Sequence, residues 1–294
     1  MQPLTLQASK FFFDRMLPIR IYYTRCSEVA DWHTHDFSEI AIILSGSAVY
    51  ETDFSTSRIT AGDVLVMPAG GSHRFHSEVD IEQFNLLFQF EKLPVPGKDI
   101  TMHPGYSSLF RLNPEYCRKQ KYYPRFRIRD AASLQYIRLL LTAASTAQEQ
   151  KKTGYALSVY GAFLQIIPIL LESYRGSTPR KSSTYIPELL ADCLDHIQQN
   201  FRKELPTALL AEKAKMAPAS FVRHFHAATG MTPLEYIIKL RLEEAAILLQ
   251  DPDLSIAEAA LQSGFNDSNY FSRLFRKKNN ISPRGYRKML GLQQ

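Results

Sequence analysis

The sequence is poor in cysteine, tryptophan and glycine, and it has no long uninterrupted apolar segment. Its three cysteines are widely separated and lack C-x-x-C spacing, which argues against a disulfide framework and against a thiolate metal site. The 13 Gly and 16 Pro are too few for a low-complexity chain. No apolar run approaches the roughly 18 to 20 residues of a membrane-spanning helix, and the N-terminus lacks an export signal. These absences predict a globular protein of the cytoplasm with no membrane partner.

Acidic residues are missing from the end of the chain. None follows Asp267, although the chain as a whole has a net charge of +6. A run of cations is most often a solvated surface, but a basic surface also permits nucleic-acid binding. The cations of this run are Arg273, Arg276, Lys277, Lys278, Arg284, Arg287 and Lys288.

The hydrophobic pattern divides the chain, whose length suggests two domains. Between residues 37 and 90, short apolar runs alternate with turn residues, which predicts the strands of a β-sandwich or barrel. From 131 to 174 apolar residues recur at steps of three and four, which predicts two helices, the second bent or ended near Pro168. Residues 175–185 (RGSTPRKSSTY) have no apolar period and predict a linker.

A basic and aromatic segment lies between the predicted strands and helices. Its interleaved cations and rings could indicate a nucleic-acid surface. A solvated loop is favoured instead, because Pro124 interrupts the segment and no periodicity is visible. The residues concerned are Arg118, Lys119, Lys121, Tyr122, Tyr123, Arg125, Phe126, Arg127 and Arg129.

The chain after Ile186 is helical in pattern and contains an internal repeat. Like residues recur at an offset of 50, and two copies indicate a duplicated helical unit rather than a solenoid. The matching pairs are Phe221 and Phe271, Arg223 and Arg273, Phe225 and Phe275, Met231 and Ile281, Thr232 and Ser282, Pro233 and Pro283, and Tyr236 and Tyr286.

Start and stop signals give each copy a helix, a tight turn and a second helix. Thr232 and Ser255 each begin a capping box, with a glutamate three residues later, and Ser282-Pro repeats the first opening. Gly264 can adopt the left-handed backbone conformation that ends one helix before the next begins near Asp267.

The second helix of each copy carries the pattern F-x-R-x-F. Spacing by four places both phenylalanines on one face of a helix, and the arginine between them points elsewhere. Such a helix suits the DNA major groove, where arginine donates two hydrogen bonds to guanine. One copy alone would favour an ordinary amphipathic helix with a solvated arginine, whereas two copies in register favour DNA reading.

Residues 255–287, SIAEAALQSGFNDSNYFSRLFRKKNNISPRGYR, resemble the signature of the AraC/XylS family of bacterial transcription regulators. Residues 187–290 follow the seven-helix layout of that family. The resemblance implies two helix-turn-helix units joined by a helix over about 233–249, with recognition helices at about 218–228 and 267–279. The residues that the resemblance implies face the DNA bases are Ala219, Val222, Arg223, Ser268, Asn269, Tyr270, Ser272 and Arg273.

Two positions of the first unit depart from the family pattern. Lys215 stands where the family usually has glycine in the turn, and Ala217 stands where a serine usually caps the recognition helix. Each departure should cost about 1 kcal/mol. Base reading by the first unit is therefore expected to depend chiefly on Arg223, with Val222 against a thymine methyl group.

The N-terminal half resembles the two cupin motifs over roughly residues 20–90. His33-Thr-His35, Glu39 and Gly46 have the spacing of the first motif, and Gly62, Pro68, Gly70 and His73 have that of the second. The resemblance implies a small β-barrel, and in cupin enzymes the positions of His33, His35, Glu39 and His73 bind a divalent metal. The alternative is that these side chains only line an effector pocket, together with Trp32 and Tyr50, that accepts a sugar.

Together these features predict an α+β multidomain protein: a cupin barrel, then helices, then an all-α double helix-turn-helix domain. The expected domains are a sensor barrel at 1–130, a dimerisation segment at 131–174, a linker at 175–186 and a DNA-binding domain at 187–294.

The resemblance implies a bacterial, nucleoid-associated activator that acts as a homodimer on double-stranded promoter DNA and contacts RNA polymerase. Its effector would be a small molecule of the carbohydrate class, and residues 157–174 particularly resemble the rhamnose-regulator branch. We expect no enzymatic activity. The alternatives are a metal-dependent cupin enzyme acting on a sugar or small acid, favoured by the complete ligand quartet, and a DNA-binding protein that has no effector.

Overall fold

The computed structural model describes residues 4–12, 17–26, 30–89, 92–93, 97–177 and 185–292. The chain forms two compact units, Met1–Ala191 and Asp192–Gln294, here named the N-terminal unit and the C-terminal unit. The described part of the first combines a β-sheet with helices, and that of the second contains helices without strands. The predicted α+β organisation is confirmed: the region predicted to be a cupin barrel is a curled β-sheet, and it is followed by helices and then by a helical C-terminal unit.

The N-terminal unit is built on one curled sheet of eight strands in the described ranges. These strands are β1 (Leu4–Leu6), β2 (Ile19–Cys26), β3 (Ala30–His35), β4 (Ser38–Thr52), β5 (Thr56–Thr60), β6 (Asp63–Met67), β7 (Ser72–Phe88) and β8 (Arg125–Arg127). Their order is β1-β3-β7-β4-β6-β8, while β2 also pairs with β7 and β5 with β4. All pairs are antiparallel except that of β1 with β3.

The strands β4 and β7 pair along most of their length. Their side chains alternate between the two faces of the sheet. Ile40, Ile42 and Leu44 of β4 belong to the main core, which includes helical residues, whereas Ala41 and Ile43 belong to a second apolar cluster. Successive side chains of a strand point to opposite faces, so the two clusters lie on opposite sides of the sheet. We name them the helix-covered face and the site face.

The pairing of β4 with β7 is irregular around Gly46, where its register shifts three times between Ile43 and Ala48. The φ angle of Gly46 is +81°, and a Cβ at this position would lie 2.0 Å from the carbonyl oxygen of Asp80. Only glycine fits this backbone and this close approach. Bulges of this kind bend a strand and increase its twist, so the irregularity lets the two long strands curl.

Five α-helices and a π-helix (Ser107–Arg111) accompany the sheet in the described ranges. The α-helices are α1 (Ala8–Phe11), α2 (Lys98–Thr101), α3 (Pro114–Lys119), α4 (Ala131–Glu149) and α5 (Tyr155–Ser177). Helices α4 and α5 pack on the helix-covered face, where Ile137, Phe163 and Leu170 are completely buried. Residues Tyr155–Arg175 of α5 are long and apolar enough to span a membrane by length and composition alone. This corrects the expectation that no segment has that length, and the apolar residues of α5 belong to the core of the unit.

The helix α5 continues through Pro168 to Ser177, so the proline does not end it. Pro168 lies on the exposed side of the helix, where the carbonyl group that loses its helical N–H partner can face water. The first three residues of the predicted linker, 175–177, are therefore helical. The remainder up to residue 184 lies outside the described residues.

The basic segment predicted to be a loop is partly ordered: Arg118 and Lys119 belong to α3 and Arg125–Arg127 form β8, so for these residues the prediction was wrong. The carboxylate of Asp63, which is buried, accepts hydrogen bonds from Arg125 Nη2 at 3.1 Å and from Arg127 Nε at 2.9 Å. These bonds hold β8 beside β6. The alternation of Arg125 and Arg127 with the buried Phe126 was the signal of a strand. The two arginines are thus structural cations of the sheet.

The helices of the C-terminal region are α6 (Ile186–Asn200), α7 (Thr207–Lys213), α8 (Pro218–Thr229), α9 (Pro233–Leu248), α10 (Ile256–Gln262), α11 (Ser268–Asn279) and α12 (Pro283–Met289). The pairs α7–α8 and α10–α11 form two helix-turn-helix units, and α9 joins them. The seven-helix layout is confirmed, with boundaries close to those predicted.

Helix capping agrees with the sequence signals. Both capping boxes are formed, by Thr232 with Glu235 at the start of α9 and by Ser255 with Glu258 at the start of α10. Gly264, which follows α10, has a φ angle of +98°. These three local predictions are confirmed.

The two helix-turn-helix units differ at their turns. In the first unit Lys215 adopts a φ angle of +53°, a left-handed conformation that is unfavourable for a residue with a side chain. Ala217, the residue before α8, provides no side-chain cap, whereas Asp267 before α11 accepts hydrogen bonds from the N–H groups of Asn269 and Tyr270. The first unit therefore lacks two local stabilising features that the second has.

Substituting Ala217→Ser should raise the free energy of unfolding of the C-terminal unit by about 1 kcal/mol, because the hydroxyl group would accept a hydrogen bond from the first turn of α8. Urea unfolding of the full chain, followed by circular dichroism, measures this change. The matched control Asp267→Ala should lower the stability by about as much. A destabilised control beside an unchanged A217S variant would contradict the expectation.

The pairing of Asp63 should make the stability of the N-terminal unit depend on pH. Burial alone would raise the pKa of Asp63, but the hydrogen bonds from Arg127 and the Thr60 N–H group, with the charges of both arginines, leave it below its ordinary value. A lowered pKa in the folded state stabilises the fold above the unfolded value of about 3.9, and this stabilisation is lost as the pH falls through the folded value.

Thermal unfolding between pH 7 and pH 3 tests this dependence. We expect Asp63→Asn to lower Tm at pH 7 and to lose less Tm on acidification than the wild type. Asp31→Asn, at an exposed position, is the control and should follow the wild-type curve. Parallel curves for D63N and the wild type would show that Asp63 does not carry the acid dependence.

Candidate functional site

Three buried polar side chains meet on the site face of the sheet. They are His35 at the end of β3, Glu39 at the start of β4 and His73 at the start of β7, with exposed fractions of 1%, 5% and 2%. Along the pairing of β4 with β7, Glu39 lies opposite Leu87, whereas His73 lies opposite Thr52. These two positions would be about 40 Å apart on a straight ladder. The curl of the sheet therefore brings the three side chains together.

The separations within this cluster are short. The Oε2 atom of Glu39 lies 3.1 Å from Nε2 of His35 and 4.0 Å from Nε2 of His73. One ligand atom from each of the three residues lies within 4.8 Å of the others. The set consists of two imidazoles and one carboxylate, which together are able to bind a metal ion or several hydroxyl groups.

The hydrogen bonding of His35 determines its tautomer. Its Nδ1 atom lies 2.5 Å from the carbonyl oxygen of Phe37, which can only accept, so Nδ1 carries the proton. Among the described residues, His35 Nε2 and His73 Nδ1 have no aligned hydrogen-bond partner. A buried polar atom without a partner is costly, and both atoms border the same cluster.

The protonation states of the cluster follow from its burial and its charges. Burial by itself would raise the pKa of Glu39, but the contact with His35 and the charges of the three nearby histidines lower it to about 2. Burial, with smaller contributions from His33 and His35, lowers the pKa of His73 to about 3 against the opposing effect of Glu39. At neutral pH Glu39 is therefore ionised and His73 is neutral.

Of the other predicted pocket residues, the structure brings Tyr50 and His33 close to the cluster but not Trp32. The Tyr50 ring lies 5.8 Å from that of His73, and burial, followed by the charge of Glu39, raises the pKa of Tyr50 well above its usual value. The His33 ring lies 4.3 Å from that of His73, but His33 is outside the group of three, and its Nδ1 lies 2.9 Å from the Asp31 carbonyl oxygen.

Trp32 lies on the opposite side of β3 from His33 and His35. Its ring stacks on the guanidinium group of Arg74, 5.1 Å away, and Arg74 is paired with Glu51. His76 also reaches Glu51, at 3.3 Å. Neighbouring side chains of a strand point to opposite faces, so Trp32 cannot share a face with His33.

The apolar residues beside the cluster were not predicted from the sequence. Ala41, Ile43, Leu65, Met67 and Phe75 belong to the buried cluster of the site face. The signal for Ala41, Ile43 and Phe75 was present as the two-residue steps from Glu39 along β4 and from His73 along β7. The polar groups therefore stand at the edge of an apolar patch, the usual composition of a small-molecule site.

A cavity of the N-terminal unit lies away from this cluster. It is a groove of about 530 Å³ that involves residues near the start of α4 and the middle of α5. Its lining residues are Arg127, Arg129, Asp130, Ser133, Pro168, Ile169, Glu172 and Ser173.

In the C-terminal unit, α8 and α11 each bury an aromatic pair and expose an arginine. Phe221 and Phe225 of α8 are completely buried with ring centroids 5.5 Å apart, and Phe271 and Phe275 of α11 repeat this arrangement. Arg223 and Arg273 lie between the rings in sequence and are exposed. The buried rings fix each helix, so that its opposite side remains available to a partner.

The remaining predicted base-reading residues are mostly accessible. Ala219, Ser268, Asn269 and Tyr270 are exposed, whereas Val222 and Ser272 are half-buried. The guanidinium group of Arg273 lies 5.9 Å from the Tyr270 ring centroid. The last turn of α11 adds Arg276, Lys277 and Lys278, all on exposed positions.

The basic run at the end of the chain is not uniformly a solvated surface. Arg287 of α12 is buried, with an exposed fraction of 3%, and its guanidinium group donates to the carbonyl oxygens of Leu249, Asp251 and Leu254. These three residues lie between α9 and α10. Arg287 therefore fixes the start of the second helix-turn-helix unit, and the expectation of a solvated run is corrected at this position.

Two protein-family models match the chain. Residues 20–167 match the AraC-like ligand binding domain, and residues 210–289 match a helix-turn-helix domain. The first match spans half of the chain and includes His35, Glu39 and His73. The second includes both α8 and α11.

Known proteins with similar sequences include transcription regulators. The HTH-type transcriptional activator RhaR of Mannheimia succiniciproducens is 28% identical over 284 residues, which are 97% of this chain and 96% of that protein. RhaR of Yersinia pseudotuberculosis serotype O:3 is 27% identical over 286 residues, 97% and 94% of the two chains. The DNA-binding domain of AdpA, solved in complex with a target DNA, is 30% identical over 34% of this chain and 90% of its own, with a TM-score of 0.33.

Proposed function

The chain belongs to the AraC family of transcription regulators, and from this premise we propose that it activates transcription by reading promoter DNA through α8 and α11. One observation carries the proposal: two helices of the same unit each bury a phenylalanine pair and expose an arginine at the same relative position. A fixed helix that presents arginine fits the major groove, where guanine O6 and N7 accept its two hydrogen bonds. An enzyme has no need of this duplication.

The base-reading residues follow from exposure and from the family resemblance. In the first unit Arg223 is the main reader, with Ala219 and the half-buried Val222 beside it. In the second unit Ser268, Asn269, Tyr270, Ser272 and Arg273 are the readers. Arg276 and Lys277, on the exposed side of the same helix, are suited to DNA phosphates.

A carbohydrate is the proposed effector, and the site face of the N-terminal unit is its proposed site. The relatives named RhaR support a sugar. His33, His35, Glu39, Tyr50 and His73 offer donors and acceptors beside an apolar patch, which suits hydroxyl groups and a sugar ring. The effector would act by binding one arrangement of the protein better than another.

The proposed assembly is a homodimer formed through α4 and α5. Tyr136 and Leu139 of α4 have exposed fractions of 44% and 61%, and they are three residues apart on one face of the helix. Tyr136 donates a hydrogen bond to Gln165 of α5 at 2.8 Å, so the two helices contribute to one surface. The dimer would act on DNA in the cytoplasm, in contact with RNA polymerase.

The direct test is binding of the full chain to its own upstream DNA at two salt concentrations, with and without L-rhamnose and other sugars. Specific binding that weakens steeply with salt is expected for a protein that neutralises several phosphates. A sugar that changes this affinity would identify the effector class. Weak binding to every sequence under all conditions would overturn the proposal.

Arg223→Ala and Arg273→Ala should each weaken specific binding by about 1–3 kcal/mol and relax base preference at one position of the site. Competition assays with single-base variants of the DNA measure both effects. Lys277→Ala is the control, since loss of a phosphate contact weakens binding to all sequences alike and lowers the salt dependence. Unchanged affinity and base preference in R223A would exclude Arg223 as a base reader.

Leu139→Asp should shift the protein from dimer to monomer in sedimentation at micromolar concentration, because a charge would be placed on the proposed interface. Leu261→Asp is the matched control, since Leu261 is a similarly exposed leucine (64%) in the C-terminal unit. A wild-type monomer, or an L139D variant that remains dimeric, would contradict the proposed interface.

A further inference from the structure

We propose that Thr24, Gln83 and Asn85, here named the polar row, bind hydroxyl groups of the effector and select a neutral, polyhydroxylated ligand over a carboxylate. The inference rests on the proposed function, since it assumes that the site face binds an effector. It concerns side chains of β2 and β7 that lie outside the positions of the two sequence motifs.

Strand alternation places the polar row on the site face. On β7, Gln83 and Asn85 flank Phe84, which belongs to the core of the helix-covered face. On β2, Thr24 follows three residues after Ile21, which belongs to the same core. Neighbouring side chains of a strand point to opposite faces, and the register of β2 with β7 is unbroken. All three residues of the polar row therefore point away from α4 and α5.

The pairing of the strands makes the polar row continuous with the cluster at Glu39. Thr24 of β2 lies opposite Gln83 of β7. Asn85, two positions along β7, lies opposite Ala41 of β4. Glu39 is two positions before Ala41, so Asn85 and Glu39 are diagonal neighbours with Cα atoms about 7–8 Å apart. The polar row therefore extends the site from Glu39 toward β2.

Each residue of the polar row buries an oxygen atom that has no hydrogen-bond partner in the described parts of the chain. The atoms are Thr24 Oγ1, Gln83 Oε1 and Asn85 Oδ1. Gln83 has an exposed fraction of only 6%, and the other two residues are half-buried. A buried polar atom without a partner lowers stability. Three such atoms on one face indicate groups whose partner is a ligand, because proteins retain unfavourable groups chiefly at functional sites.

The chemistry of these atoms determines the class of ligand. The carboxamide oxygens of Gln83 and Asn85 only accept hydrogen bonds, so the ligand must offer donors. A hydroxyl group donates and accepts, whereas an ionised carboxylate only accepts. A sugar or polyol therefore satisfies the polar row, and a carboxylate group does not. Tyr22, opposite Asn85 on β2, is 40% exposed, so a ligand can reach the polar row from this side.

The experiment follows thermal unfolding of the full chain during titration with neutral sugars, beginning with L-rhamnose, and with decanoate, a carboxylate that has no hydroxyl group. We expect a sugar to raise Tm as its concentration increases, and decanoate to leave Tm unchanged. Calorimetric titration then gives the Kd of the stabilising sugar. A chain that is stabilised by decanoate and by none of the sugars would contradict the proposed class of ligand.

Apolar variants of similar size locate the sugar. Each should weaken binding of the stabilising sugar by about tenfold, because one hydrogen bond is lost. Without sugar each should keep or raise the wild-type Tm, because apolar atoms replace an unpartnered oxygen. A side chain with a purely structural role would give the opposite pattern, a lower Tm with unchanged Kd. The variants are Thr24→Val, Gln83→Met and Asn85→Leu.

Thr34→Val is the matched control. Thr34 Oγ1 is also buried and has no hydrogen-bond partner within the described ranges. Thr34 precedes His35 on β3, so it points to the opposite face of the sheet from the site. The control should therefore bind the sugar as tightly as the wild type.

The outcomes separate this inference from the proposed function. A sugar that binds all three variants as tightly as the wild type would exclude the polar row and leave the proposed effector in place. A lowered Tm of sugar-free Thr24→Val and Gln83→Met would show that their oxygens have partners within the protein, and this result requires no ligand. A wild type that responds to no sugar would overturn the proposed effector together with the polar row, whereas DNA binding is measured without sugar and tests the regulator separately.

Discussion

The curl of the paired strands β4 and β7 is the constraint on which the N-terminal unit depends. These strands carry the two faces of the sheet, and the other strands except β1 and β8 attach to one or both of them. A straight pair would leave Glu39 and His73 far apart, whereas the bend around Gly46 brings them to the same point. One face of the curled sheet packs against α4 and α5, and the other carries the polar cluster at the edge of an apolar patch. The position of the site therefore depends on the geometry of the backbone as well as on the chemistry of its side chains.

The features that the sequence predicted correctly are mostly local. Capping at Thr232 and Ser255, the left-handed Gly264 and the boundaries of α8 and α11 are determined by residues a few positions apart. The duplication reinforced these signals, since each unit repeats the other. The convergence of His35, Glu39 and His73 was accessible only through the cupin spacing, because nothing local in β4 or β7 indicates how far the sheet curls.

The features that the sequence did not predict depend on distant partners. The strand β8 forms because Arg125 and Arg127 meet Asp63, more than sixty positions earlier, and the local view showed only a basic segment with a proline. Arg287 appeared to belong to a solvated run, although its partners are carbonyl groups near residue 250. Trp32 is a different case. Trp32 and His33 were predicted to line one pocket, although they are neighbours on a strand. Neighbouring side chains of a strand point to opposite faces, so the sequence already argued against this prediction.

The buried Arg287 also affects how the protein can be handled and altered. Its three backbone partners lie directly before the second helix-turn-helix unit, although α12 itself is the last helix in the described part of the chain. Residues near a C-terminus are commonly removed or fused to tags on the assumption that they are expendable. In this protein, truncation before residue 287 would leave those carbonyl groups without their donor. DNA recognition would then fail in a chain that keeps every residue proposed to touch a base.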